Sequence, residues 1–250
     1  MYTKDDFPER FIRAVRLNSR EGLGYAADIP VIRHLSRLEF SENVTFLVGE
    51  NGSGKSTLLE GIAVAAGFNP EGGTLNFSFS TNDTHSGLYR ALTLERGIRR
   101  PKDGYFLRAE SFYNAATYLE NVDDVPWLPS VFESYGGKSL HAQSHGESFM
   151  ALCLNRFGGK GLYLLDEPEA ALSPMRLLSL LAAIHELVDR RSQFLISTHS
   201  PILMAYPGAE IYELSERGIA SVSYRETEHY RFSRQFLENP EKILHYLLEE

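Results

Sequence analysis

"NVTFLVGENGSGKSTLLEGIAVAAG", residues 43–67, decides how the rest of the chain is read. Its first six residues are an apolar, β-branched and aromatic run of strand length, ending on glycine. Residues 55–67 carry a helical pattern and stop at Gly67, the residue type that closes helices in the left-handed region. Between them, "GENGSGKST" at 49–57 fits G-x-x-x-x-G-K-[ST], placed between strand and helix as that motif requires. The chemistry is that of phosphate binding. Gly49, Gly52 and Gly54 allow the backbone of Glu50, Asn51 and Ser53 to turn its N–H groups inward around β- and γ-phosphates. Lys55 adds a point charge, and the helix N-terminus a partial positive one. The Ser56 hydroxyl suits Mg²⁺, and Thr57 faces the α-phosphate side.

The next informative stretch is "LYLLDEP", with Asp166 and Glu167 closing a buried strand read over 161–168. Ligands in open α/β sheets bind beyond such strand ends. The first acid can hold the Mg²⁺ shell, and the second can polarise an attacking water. The plain alternative is a surface acid pair, but a phosphate loop in the same chain favours hydrolysis. "FLISTHSP" puts His199 just past another strand, 193–197. A histidine there can reach a γ-phosphate and steady Glu167. A lone histidine is more often structural, and only its position argues for function.

Around this core, "FIRAVRL" at 11–17 and "RLEF" at 37–40 read as strands of an N-terminal β part. Residues 69–87 read as turns with short strands, and "GYFLRAESF" at 104–112 as a further strand. Residues 113–143 read as a small helical lobe broken by Pro126, Pro129 and Gly136–Gly137, followed by a helix at 146–157. Ser173 and Pro174 open a helix to about Arg190, with Leu178, Leu181, Ile184 and Val188 as its apolar row. The tail from 210 holds two short strands and a final helix, "PEKILHYLLEE".

"QSHGES" at 143–148 precedes the 146–157 helix. It resembles the ABC signature "LSGGQ", with Ser144 and Gly146 on the Ser and second Gly positions and Gln143, His145 and Glu147 as departures. The order of phosphate loop, "RAESF", "SHGES", "LLDEPEAALSP" and "STHSP" resembles the ABC-type ATPases of the SMC, RecF and OLD branch over about residues 30–205. "DEPEAALSP" is typical of small stand-alone ATPases of that group. The resemblance implies an α/β P-loop NTPase of ABC-ATPase type: a mixed sheet core, an N-terminal antiparallel β part and a short helical lobe at about 113–157, all in one domain, 1–250. It implies an ATP hydrolase with ATP and Mg²⁺ as cofactors, Glu167 and His199 as catalytic residues, and Ser56 and Asp166 at the metal. Glu110 falls where the family commonly has a Gln that senses Mg²⁺ and the γ-phosphate, and the change leaves its role open. Ala171, Leu172 and Ser173 fall in the loop that crosses the dimer interface. In the family, the signature of one subunit covers the ATP of the other, so a homodimer on ATP binding is implied.

Tyr25, in "GLGYAAD", stands where an adenine-stacking ring occurs in transporter ATPases, though a plain turn fits equally. A net charge of −8 argues against broad nucleic-acid binding. The basic stretch Arg90, Arg96, Arg99, Arg100, Lys102 and Arg108 fits a solvated face, a phosphate-proximal loop or a polyanion site. Cys153 is the only cysteine and reads as a buried, inert thiol. No apolar run is long enough to span a bilayer, and the first thirty residues lack an apolar signal core. The expectation is a cytoplasmic ATPase that uses dimerisation as a switch in DNA maintenance or phage defence, on DNA or a separate effector protein. The alternative is the ATP-binding subunit of a membrane transporter. Against it stand the short lobe and wording other than the usual transporter "DEPTSALD". That lobe also leaves no room for a long coiled-coil arm.

Overall fold

The computed structural model of the protein describes residues 10–74, 87–108 and 145–248. In the first of these segments β1 (Ile12–Leu17), α1 (Pro30–His34), β2 (Arg37–Glu39), β3 (Val44–Val48), α2 (Lys55–Ala66) and β4 (Gly73–Thr74) follow in order. The second holds α3 (Leu88–Ala91), β5 (Leu92–Arg96) and β6 (Asp103–Arg108). The third holds α4 (His145–Arg156), β7 (Gly161–Asp166), α5 (Pro174–Asp189), β8 (Gln193–Ser197), α6 (Pro201–Met204), β9 (Glu210–Ser215), β10 (Gly218–Ser221), α7 (Glu228–Glu238) and α8 (Pro240–Leu248).

Among the described residues a seven-stranded sheet, order β10-β9-β3-β8-β7-β6-β4, forms the centre. Strands β9, β3, β8, β7 and β6 are parallel, while β10 pairs antiparallel with β9 and β4 with β6. Alternation along the central strands divides the core in two. Phe46, Tyr163, Leu165, Phe194 and Ile196 face one side, where Phe149 and Leu152 of α4 and Leu180 and Ile184 of α5 cover them. Leu47, Leu162, Leu164 and Leu195 face the other, under Leu58 and Ile62 of α2 and the small sheet. That small sheet, order β2-β1-β5, is antiparallel, in keeping with the expected N-terminal β part.

A buried amide ties the two sheets together. Gln193, 1% exposed at the start of β8, accepts from the Phe11 and Ile12 N–H groups at 2.9 Å each and donates to the Ile12 carbonyl at 2.8 Å. These groups lie where the β1–β5 register shifts between Ile12 and Ala14. Gln193→Leu leaves them unpaired in the core, at about 1–3 kcal/mol each. Urea denaturation should show a loss of about 3 kcal/mol or more, and a loss below about 1 kcal/mol would count against the tether.

Several expectations need correction. The buried row of α5 is Leu177, Leu180, Ala183, Ile184 and Leu187, while Leu178 is 51% exposed. Paired leucines at 177/178 and 180/181 satisfy two adjacent helical rows, and packing on the sheet selects the first. Ser173 precedes that helix in an extended conformation, with Pro174 in the first turn, but its hydroxyl makes no capping bond. The tail forms two helices rather than one. The first, α7, is capped by Thr227, whose hydroxyl accepts from the Tyr230 N–H at 3.3 Å and donates to the Tyr224 carbonyl at 2.8 Å. Strand β5 is an addition to the expected elements, because "LTLER" reads as polar. The Cys153 thiol is buried, and that burial raises its pKa. The 113–143 lobe lies outside the described residues.

Candidate functional site

The phosphate loop joins β3 to α2, and its backbone demands glycine. Gly49 has φ 141° and Gly54 φ 100°. A Cβ on Gly49 would run into the Leu214 carbonyl, and one on Gly54 into Ile29 and, at 2.8 Å, Val31. The loop is thus wedged between β9 and the segment entering α1. Glu50, Asn51 and Gly52 form an exposed lip, Ser53 is buried, and Ser56 and Thr57 are half-buried on the first turn of α2. Lys55, only 4% exposed, curls back so that its Nζ donates to the Gly49 and Glu50 carbonyls at 2.9 Å each. Burial lowers its pKa, and Glu167, Asp166 and Glu169 oppose that shift.

The parallel register of β3, β8 and β7 brings their C-terminal ends side by side, so that the loop, His199 and the acid pair share one edge. Asp166 is buried; its Oδ1 accepts from the Ser197 hydroxyl, and its Oδ2 lies 3.6 Å from Arg108 Nε. Arg108 also pairs with Glu60 of α2 at 2.7 Å. Glu167 leaves the sheet in the left-handed region, φ 49° and ψ 53°, its N–H held by the Ser197 carbonyl at 3.1 Å and hydroxyl at 3.2 Å. One of its carboxylate oxygens lies 3.5 Å from His199 Nε2. The His199 N–H donates to Glu169, whose carboxyl pKa burial raises. Desolvation, helped by Lys55 and His229, lowers His199 to about 4, so its imidazole is neutral at physiological pH.

Ser56 and Asp166 are hard oxygen donors of the kind Mg²⁺ takes. Among the described residues no group of three or more His, Cys, Asp or Glu side chains is placed to hold a metal. A cation there would therefore rely on phosphate and water oxygens as well. Glu110 and Ser144 lie outside the described residues. Gly146 is packed within its own chain at the start of α4, where a Cβ would strike Arg176 and approach the Ala171 carbonyl at 3.0 Å. Tyr25 is 65% exposed on the turn Gly24–Asp28, which leads into the Ile29 and Val31 contacts with Gly54. Beside the loop lip, a cleft of about 480 Å³ is closed by residues 213–217 and by Glu228.

Four participants carry little or no signal in the sequence. Ser197 and Glu169 fall inside the strand-end motifs, at positions to which the pattern gives no role. Arg108 has only its place at a strand end as a signal, and His229 has none. His229 Nε2 lies 2.9 Å from His199 Nδ1.

A family profile described as "AAA domain" matches residues 29–104. A second, "AAA domain, putative AbiEii toxin, Type IV TA system", matches residues 139–205. Among solved structures the chain is similar to cbiO1 from Clostridium perfringens, part of the ABC transporter complex cbiONQ. Identity is 17%, over 95% of this chain and 99% of that one, with a TM-score of 0.51. It is also similar to MJ1267, an ATP-binding cassette of an ABC transporter, at 17% identity over 92% of this chain and 98% of that one, with a TM-score of 0.50. A comparison with curated proteins finds no match. At such identities the likeness extends to the fold.

Proposed function

We propose, on the premise that this chain has the ABC-type P-loop ATPase fold, that it is a Mg²⁺-dependent ATP hydrolase whose two copies close over two nucleotides. The observation that carries this reading is the edge shared by Lys55, Asp166, Glu167 and His199 at the ends of three parallel strands. In this reading the loop N–H groups and Lys55 bind the β- and γ-phosphates, and Ser56 and Asp166 hold the cation, which offsets the charge developing on the phosphates. Glu167 orients water and takes its proton. His199, neutral and 3.5 Å from Glu167, donates toward the γ-phosphate. Glu110 completes the metal shell, and Ser144 and Gly146 serve the partner's nucleotide. The 250 residues act as one unit, with residues 113–157 as its lobe.

No helix among the described residues is long and apolar enough to cross a membrane. We favour an ATP-driven switch acting on a separate effector protein or on DNA, in DNA maintenance or phage defence within the cytoplasm, over a transporter subunit. The alternative predicts consistent co-purification with a multi-span membrane protein, and that result would overturn the choice.

Complementation tests the shared site. Ser144→Arg chains should bind ATP yet turn over poorly, and Lys55→Ala chains should do neither. A mixture should regain activity, since each mixed dimer keeps one site with an intact loop and an intact signature. An inactive mixture, with each parent folded, would rule out the shared site.

A further inference from the structure

We infer that His229, on the first turn of α7, is a positioning residue that fixes the tautomer of His199, so that His199 presents its Nε2–H to the nucleotide side. The inference rests on the reading of His199 given above. It starts from the contact between His199 Nδ1 and His229 Nε2, 2.9 Å apart, with the ring centroids 5.1 Å apart.

One proton lies between the two nitrogens, and only one ring can donate it. The other two ring nitrogens, His199 Nε2 and His229 Nδ1, are buried with no hydrogen-bond partner among the described residues. If His199 donates through Nδ1, its Nε2 lone pair points toward the Glu167 carboxylate 3.5 Å away. His229 must then carry its own proton on Nδ1, a buried donor with no described group to receive it. If His229 donates through Nε2, His199 carries its proton on Nε2, turned toward the Glu167 carboxylate 3.5 Å away, and His229 Nδ1 is left a bare acceptor. Each arrangement leaves one buried donor and one buried acceptor without a hydrogen bond, so what faces the Glu167 carboxylate decides: its negative charge attracts an N–H and repels a lone pair. Both rings are neutral, since desolvation lowers the pKa of each. The second arrangement is therefore the stable one, and it leaves His199 a hydrogen-bond donor on the side of Lys55 and Glu167.

What holds His229 is the start of α7. Thr227, fully buried, caps the helix. The Glu228 N–H donates to Glu213 of β9 at 3.0 Å. The helix also packs on α6, which begins two residues after His199. The ring that sets His199 thus belongs to the C-terminal helices, so a displacement of α7 removes the donor that His199 depends on.

The test uses the full chain at neutral pH, with ¹⁵N-labelled histidines and His199→Ala to assign the His199 signals. The ring-nitrogen shifts should report His199 as the Nε2–H form. His229→Phe, which keeps an aromatic ring, should abolish that preference, and His229→Gln, which keeps an N–H near the same place, should retain it. In ATPase assays His229→Phe should lower kcat about tenfold with KM within about twofold, and His229→Gln should stay within about threefold of the parent. Melting temperatures of the two variants should agree. An Nδ1–H form in the parent, or unchanged His199 shifts in His229→Phe, would overturn the inference. If the shifts behave as stated but His199→Ala hydrolyses ATP like the parent, His229 still sets the tautomer and the role proposed for His199 in hydrolysis falls.

Discussion

Lys55→Ala should weaken ATP binding by about 10²-fold while leaving the fold in place. The ammonium is the cation held by the loop itself, and a charged hydrogen bond to phosphate is worth about 1.5–3 kcal/mol, up to two decades in affinity. Lys55 closes on the Gly49 and Glu50 carbonyls at 2.9 Å, which holds its charge over the loop. The loop shape comes from the positive φ of Gly49, Gly52 and Gly54, which the substitution does not touch. Calorimetric titration with ATP and Mg²⁺ measures the loss. An affinity within about threefold of the parent would remove the phosphate role from this loop.

Glu167→Gln should cut hydrolysis by about 10²-fold or more, the usual worth of a general base, and leave ATP bound. The backbone of residue 167 is held by Ser197 through both its carbonyl and its hydroxyl, and the amide variant keeps those bonds. With turnover blocked, ATP should drive the variant into a long-lived dimer visible by light scattering. ADP, lacking the γ-phosphate, should not. Turnover within about twofold of the parent would exclude Glu167 as the base. A monomer at saturating ATP would speak against the closed pair and leave the loop assignment standing.

Much of this site is legible in the amino-acid sequence, for a physical reason. Strands buried on both faces write themselves as near-continuous apolar runs, and β3, β7 and β8 each end at a motif that announces its chemistry. What stays hidden is tertiary. The His199–His229 contact joins residues 30 apart in sequence with no spacing rule between them. Arg108 meets Asp166 because β6 and β7 pair in parallel with those two residues in register, which no local pattern encodes. The register of α5 is ambiguous because adjacent leucines fill two rows at once. The antiparallel sheet is half visible, its third strand masked by Thr93, Glu95 and Arg96.

The left-handed backbone at Glu167 has a bearing on how this position drifts over generations. A side chain with a Cβ pays roughly 1–2 kcal/mol to stay there, while Gly avoids that cost and Asn or Asp lessens it. Random substitution filtered by stability alone would drain glutamate from this site toward those three. A glutamate held here against that cost fits the role of base proposed for residue 167. Lys160 and Arg191 carry a like backbone cost, φ 51° and 64°, at the opposite ends of β7 and β8, whereas Asp166 ends β7 as an ordinary strand residue.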